Sequence, residues 1–291
     1  MVFYLRYVVG LLVVLAIALL ANDFVWFKLL STSTGSSAAK IYRIYGVHPQ
    51  NEIPIFGSSR AQAHFVPELI APTAFNYGVD AMSLGETLDL VETYLKNAGK
   101  NADKDQPSVI IVNVDPWGFP LDGKFSTVGD YSLVDGSLWG IRAFGKVRSA
   151  FANWLNERTG GTKKISKGAV LQLSSRTPQQ WQAINATLKP MSFSDSKYWR
   201  QRVSDLVSST SKTLFVWVVG PCAPQWKSHF TSKAELTSFC DWLKGLPNSR
   251  VVNFYSDAYD ESLFVDPTHL NINGAQLFSA RLQERLHDIA P

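Results

Sequence analysis

The sequence predicts an α/β fold: a three-layer α/β/α domain around a five-stranded parallel sheet, preceded by one N-terminal transmembrane helix. Three observations carry that expectation. Short apolar runs recur at Ile53–Phe56, Ala74–Tyr77, Ser108–Val114, Leu214–Val219 and Arg250–Phe254. Helical patterns lie between them, and a strand–helix–strand rhythm builds right-handed βαβ units and a parallel sheet. The run Ser-Val-Ile-Ile-Val-Asn-Val at 108–114 is nearly all apolar, the pattern of a strand buried on both faces.

Taken in order, the chain opens on an apolar span. From Tyr7 to Ala21 it holds only apolar residues, one Gly and one Tyr, and Val25-Trp26-Phe27 extends it before Lys28. Aromatic residues followed by a lysine form an interfacial belt, so residues 1–28 are expected to be an uncleaved anchor, a signal peptide being the alternative. Arg6 is the sole positive side chain before the span. Residues 29–50 read as a Ser/Thr/Gly linker, and 51–291 as the domain, with an insertion at about 120–208.

Within the domain, 60–70 reads as the first helix. Ser83 with Glu86 forms a capping box ahead of Leu84, Leu88, Val91 and Leu95 on one helix face. Ser232 with Glu235 repeats the signal ahead of Leu236, Phe239, Cys240 and Leu243. The last helix spans 274–287, with Leu277, Leu282 and Leu286 as its apolar face. The insertion carries Trp139, Trp154, Trp181 and Trp199, with helical patterns at 142–156 and 197–207. It is expected over the sheet's carboxyl edge, where substrate selection would sit; a plain helical packing layer is the alternative.

A chain of 291 residues, 46% hydrophobic and 18% charged, is long enough to bury one full-sized core. The net charge of +4 comes without any lysine–arginine block, which argues against a nucleic-acid partner. No metal-ligand cluster, phosphate-binding loop or dinucleotide fingerprint is present, so no cofactor is expected. Cys222 and Cys240 are the whole thiol inventory. An even count in an exported domain makes them a disulfide candidate, two buried free thiols being the alternative.

The chemistry gathers at two places. Gly57-Ser58-Ser59-Arg60 follows the first strand, so a tight turn there presents a hydroxyl at the carboxyl edge of the sheet, where open α/β folds bind ligands. Asp266-Pro-Thr-His269 supplies a carboxylate and an imidazole three residues apart at a loop-to-helix entry. Serine, histidine and aspartate together make a nucleophilic constellation. Ser59 is the nucleophile, with Ser58 as runner-up or helix cap. His64, one turn on from Arg60, reads as a solvated helix residue. Trp117, Trp181 and Trp226 are candidates to stack on sugar faces, with core packing as the alternative.

Together with Asn76-Tyr77-Gly78 after the second strand, these blocks resemble the SGNH (GDSL-like) hydrolase superfamily over about residues 50–120 and 210–290. Phe-Gly-Ser-Ser-Arg, Phe-Asn-Tyr-Gly-Val and Asp-Pro-Trp are similar to its membrane-anchored branch, the DltD and AlgJ/AlgX-type proteins. The resemblance implies Ser59 as nucleophile, His269 as base, Asp266 as its orienting carboxylate, and an oxyanion hole from the N–H groups of Ser59 and Gly78 with the Asn113 side chain. The third block departs from the family's Gly-x-Asn-Asp: it reads Val112-Asn113-Val114-Asp115-Pro116-Trp117, and an ionised Asp115 cannot donate to an oxyanion. Arg60, Asp115 and Trp117 are candidate substrate contacts, with Arg60 reading more readily as the anchor of a structural carboxylate. The implied function is an O-acyl (acetyl) transferase or esterase on a cell-surface or exported glycan, facing the periplasm from the inner membrane beside a membrane-bound O-acyltransferase. A catalytically reduced glycan-binding or assembly factor is the second reading, and a lipase or thioesterase at the membrane surface the third.

Overall fold

The computed structural model describes residues 4, 6–18, 21, 34–35, 37–44, 49, 51–98, 107–118, 155, 163–173 and 176–287. Five parallel strands form the sheet: β1 (Ile53–Phe56), β2 (Ala74–Asn76), β3 (Val109–Val114), and, after the hairpin β4 (Lys163–Ser166) and β5 (Ala169–Gln172), β6 (Leu214–Val219) and β7 (Ser249–Asn253). Their spatial order is β2-β1-β3-β6-β7, every pair parallel. The α/β class, the strand number and the parallel sheet stand as expected.

Side chains alternate along each strand, so one strand feeds two cores. Ile110, Val112 and Val114 of β3 join Phe215, Trp217 and Val219 of β6 in one core. Against them pack α4 (Leu84–Ala98), α6 (Lys197–Ser208) and α8 (Lys233–Lys244). Ile55, Ile111, Val216 and Val218 face the other way. There they meet α2 (Ser59–His64), α3 (Pro67–Ile70), the β4–β5 hairpin and the final helix α9 (Ile272–His287). The remaining helices are α5 (Pro178–Asn185) and α7 (Pro224–His229).

Several elements differ from expectation, each for a local reason. The first helix is two: Pro67 has no N–H to donate and biases Val66 out of the helical region, so α2 stops and α3 restarts at the proline. Ser83 and Glu86 do form the reciprocal cap, at 2.8 and 3.2 Å, whereas Ser232 makes no side-chain cap bond. On α9, Leu277 is exposed and the core face is Ala275, Phe278 and Leu282.

Residues 37–44 are not a tether. They form α1 (Ser37–Ile44), whose Ala39, Ile41 and Ile44 are buried, the two isoleucines in the core with α4. Arg43 pairs with buried Glu52 at 2.5 Å, and Glu52 accepts from the Tyr77 and Tyr94 hydroxyls at 2.7 and 3.1 Å. Residues 6–18 are helical and exposed, and among the described residues no helix is long and apolar enough to cross a membrane. The helix expected at 142–156, with Trp139 and Trp154, lies outside the described residues apart from Leu155.

The disulfide is also corrected: Cys222 and Cys240 are both free and buried. Cys222, in the loop after β6, accepts a hydrogen bond from Arg60 Nη2 at 3.4 Å, and Cys240 packs among the apolar side chains of α8. Burial pushes both thiols up, Cys240 to about 11.

Candidate active site

The sheet order reverses between β1 and β3, and that switch point is where an open α/β sheet leaves a crevice at its carboxyl edge. Ser59 follows β1 there and Asp115 follows β3. Gly57 makes the turn: its φ of +152° suits glycine, and a Cβ would stand 2.7 Å from Ala61 Cβ and 2.8 Å from Asn113 Cβ. Ser58 is buried and caps α2, its hydroxyl accepting from Arg60 N at 3.1 Å. Ser59, half-buried at the first helical position, is left facing the crevice edge.

His269 Nε2 lies 2.8 Å from Ser59 Oγ. On its other side, His269 Nδ1 lies 2.9 and 3.0 Å from the two oxygens of Asp266. The carboxylate also accepts from the backbone N–H groups of Thr268 and His269, both at 2.9 Å, and from the Thr268 hydroxyl at 3.1 Å. Burial pushes this carboxyl up, but the His269 hydrogen bond and charge, then the two backbone N–H groups, outweigh it and bring it down to about 2. Asp266 is therefore ionised and holds one imidazole tautomer, the state in which Nε2 can take a proton from Ser59. Residues 210 apart in sequence meet as a triad.

The oxyanion donors are less open than expected. Gly78 sits beside α2, where a Cβ would meet Gln62 N at 2.5 Å, but its N–H already donates to Asn76 Oδ1 at 2.8 Å in an Asx turn. Asn113 is buried in β3 and donates one Nδ2–H to Asp115 Oδ1 at 2.8 Å, leaving its second N–H. The Ser59 N–H, at the head of α2, has no intrahelical acceptor. Lys40 of α1 reaches this corner and donates to Gly78 O at 2.5 Å.

Two of the three candidate substrate contacts are interior residues, and Arg60 takes its structural reading beside a buried carboxylate. Arg60 is fully buried: it donates to Thr268 O (3.1 Å) and Pro221 O (2.7 Å) and lies 3.6 Å from Asp115. Asp115 is 2% exposed. Burial raises its carboxyl, opposed by Arg60, the Ser58 and Asn113 hydrogen bonds and His269. Trp117 alone is half-exposed. It lines a cleft of about 520 Å³ with Ile184, Leu188, Met191, Trp226, Pro267 and Thr268. Ile184, Leu188 and Met191 of the 120–208 stretch thus stand beside the 266–269 turn. Trp226 is 1% exposed and stacks on Phe230 at 5.2 Å, and Trp181 belongs to the core.

His64 corrects the solvated reading: it is fully buried beside the triad. Its i, i+4 spacing from Arg60 puts both on one face of α2, and that face is the one covered by the 266–269 turn.

No protein-family model and no curated protein matches the chain. A solved structure from Streptococcus pneumonia, provisionally described as a platelet activating factor, is similar over 96% of this chain and 99% of its own, at 12% identity and a TM-score of 0.45. At that score the likeness carries no argument about chemistry.

Proposed function

We propose that this chain is a serine-dependent O-acyl transferase or esterase of SGNH type that acts on an extracytoplasmic glycan. The observation that carries the chemistry is the Ser59–His269–Asp266 relay, at 2.8 and 2.9 Å, on the switch-point edge of the sheet. The glycan, the periplasmic side of an inner membrane and a membrane-bound O-acyltransferase partner rest on the sequence resemblance.

In this reading Ser59 Oγ passes its proton to His269 Nε2 as it bonds to the acyl carbon. The Ser59 N–H and the second Asn113 amide N–H support the oxyanion. The acyl C–O bond then breaks, and His269 returns the proton to the departing alcohol. In the second half His269 takes a proton from a sugar hydroxyl or water as that oxygen bonds to the acyl carbon, the Ser59 Oγ–acyl bond breaks, and His269 returns the proton to Ser59 Oγ. The cleft walled by Trp117, Leu188 and Met191 is the place for the acyl or acceptor group, and how well it excludes water decides transfer against hydrolysis.

Intact-mass analysis of the full-length chain in detergent with a fluorophosphonate tests this. A single adduct is expected on wild type, lost in Ser59→Ala and retained in Ser58→Ala. A folded wild type that takes no adduct would sink the proposal. It would favour the second reading, a catalytically reduced glycan-binding or assembly factor, which the committed Gly78 N–H supports. A membrane-impermeant probe applied to intact cells tests the side of the membrane: an unlabelled site there counts against the periplasmic placement.

A further inference from the structure

The helix that presents the nucleophile also grips the loop that presents the base. We infer that Arg60 and His64 are positioning residues that fix the 266–269 turn against α2, so that one six-residue helix sets the Ser59–His269 hydrogen bond. This rests on the acyl-transfer reading of the site.

The contacts bracket the base. Thr268 O, on one side of His269, lies 3.1 Å from Arg60 Nε and 3.0 Å from His64 Nε2. Leu270 N, on the other side, points at the same His64 nitrogen at 3.2 Å. The two rings also meet edge to face, His64 against His269, with centroids 6.4 Å apart. His269's own backbone bonds stay inside its hairpin, to Asp266 and Val265. Among the described residues, the hydrogen bonds tying 266–270 to elements beyond that hairpin come from α2 and from Ala223 N, which donates to Pro267 O at 3.0 Å. Arg60 serves that second tie as well, since its Nη2 donates to Pro221 O at 2.7 Å. The nucleophile's neighbours therefore hold both routes by which the base could drift.

His64 is a spacer and not a second base. Burial, then the charges of Arg60 and His269, hold its protonation well below the ordinary histidine range, the Thr268 carbonyl opposing. A neutral ring beside a guanidinium serves either Thr268 O or Leu270 N, according to its tautomer.

The test compares His64→Phe, which keeps a ring against Phe278 but removes the Nε2 hydrogen bond, with His64→Gln, which returns an amide nitrogen able to donate to Thr268 O. Both are made in the full-length chain. The readouts are the rate of fluorophosphonate labelling at Ser59, its pH midpoint, and kcat and KM on p-nitrophenyl acetate. Displacing a base by about 1 Å costs roughly 10²-fold in rate. Folded His64→Phe is expected to label about 10- to 100-fold more slowly, with a shifted midpoint and unchanged KM, and His64→Gln to recover most of the loss. Wild-type labelling by folded His64→Phe overturns the inference, and so does a His64→Gln as slow as His64→Phe. If His64→Phe does not fold, hydrogen exchange at the His64 ring N–H and the Leu270 amide of wild type decides. Strong protection of either supports the grip and rapid exchange of both removes it, even where wild type takes no adduct and the acyl-transfer reading itself falls.

Discussion

Asp266 serves four donors at once, and each favours its ionised form. Its folded protonation point, about 2, lies below the ordinary carboxylate value of about 3.9. The sign follows: the unfolded chain binds this proton first as pH falls, so the stabilisation is present above about pH 4 and lost as pH falls through about 2. Asp266→Asn should therefore be less stable than wild type at about pH 5, and the gap in thermal midpoint should close towards about pH 2. An unchanging gap would mean that the lost stability is steric. In activity, an amide facing Nδ1 favours the wrong tautomer, and a loss in kcat of about 10³- to 10⁴-fold is expected, read by ester hydrolysis. The two cysteines give a second check at this scale. As buried free thiols they predict that reductant leaves the thermal midpoint unchanged, and that iodoacetamide modifies none in the folded protein and both after unfolding.

Among the elements, α1 and α2 carry more than their lengths suggest. α1 places Ile41 at 2% and Ile44 at 0% exposure against α4 and sends Lys40 to Gly78 O, so a segment that reads as a tether is part of the domain. Ile41→Ala should cost about 2–5 kcal/mol by lost transfer energy plus the cavity left behind, measured by denaturant titration. A cost below about 0.5 kcal/mol would return the segment to the role of a linker. α2 is the shorter helix, yet its six residues hold the nucleophile, the buried arginine and the buried histidine. Asn76 closes its far end, donating to Ala61 O at 2.8 Å and Phe65 O at 3.0 Å, which links the helix to β2 and to the Gly78 turn.

Across the whole molecule, the sheet was readable because a strand buried on both faces leaves an uninterrupted apolar run, as β3 and β6 do. The triad was readable because Ser59 and His269 occupy the ends of such patterns, where loops carry chemistry. What stayed hidden is what tertiary packing decides. A serine-rich lead-in gives no sign that Ile41 and Ile44 find a partner in α4. A histidine on the first helix reads as solvated until the 266–269 turn closes over it. A pair of cysteines looks like a bridge until one thiol is seen to answer Arg60 and the other an apolar helix face. The committed Gly78 N–H was likewise invisible, since it depends on the rotamer of Asn76.

The distance along the chain between Ser59 and its base bears on when the protein becomes reactive. Chains acquire structure from the N-terminal end as they are synthesised. The serine turn, β1, β2 and β3 all precede residue 115, whereas His269 arrives just before the last helix. On the acyl-transfer reading, Ser59 is until then an ordinary alcohol on a half-built sheet, and any fragment halted before residue 269 is expected to be inert towards esters. The order of the chain would thus act as a timer, with reactivity waiting for residue 269 to be made.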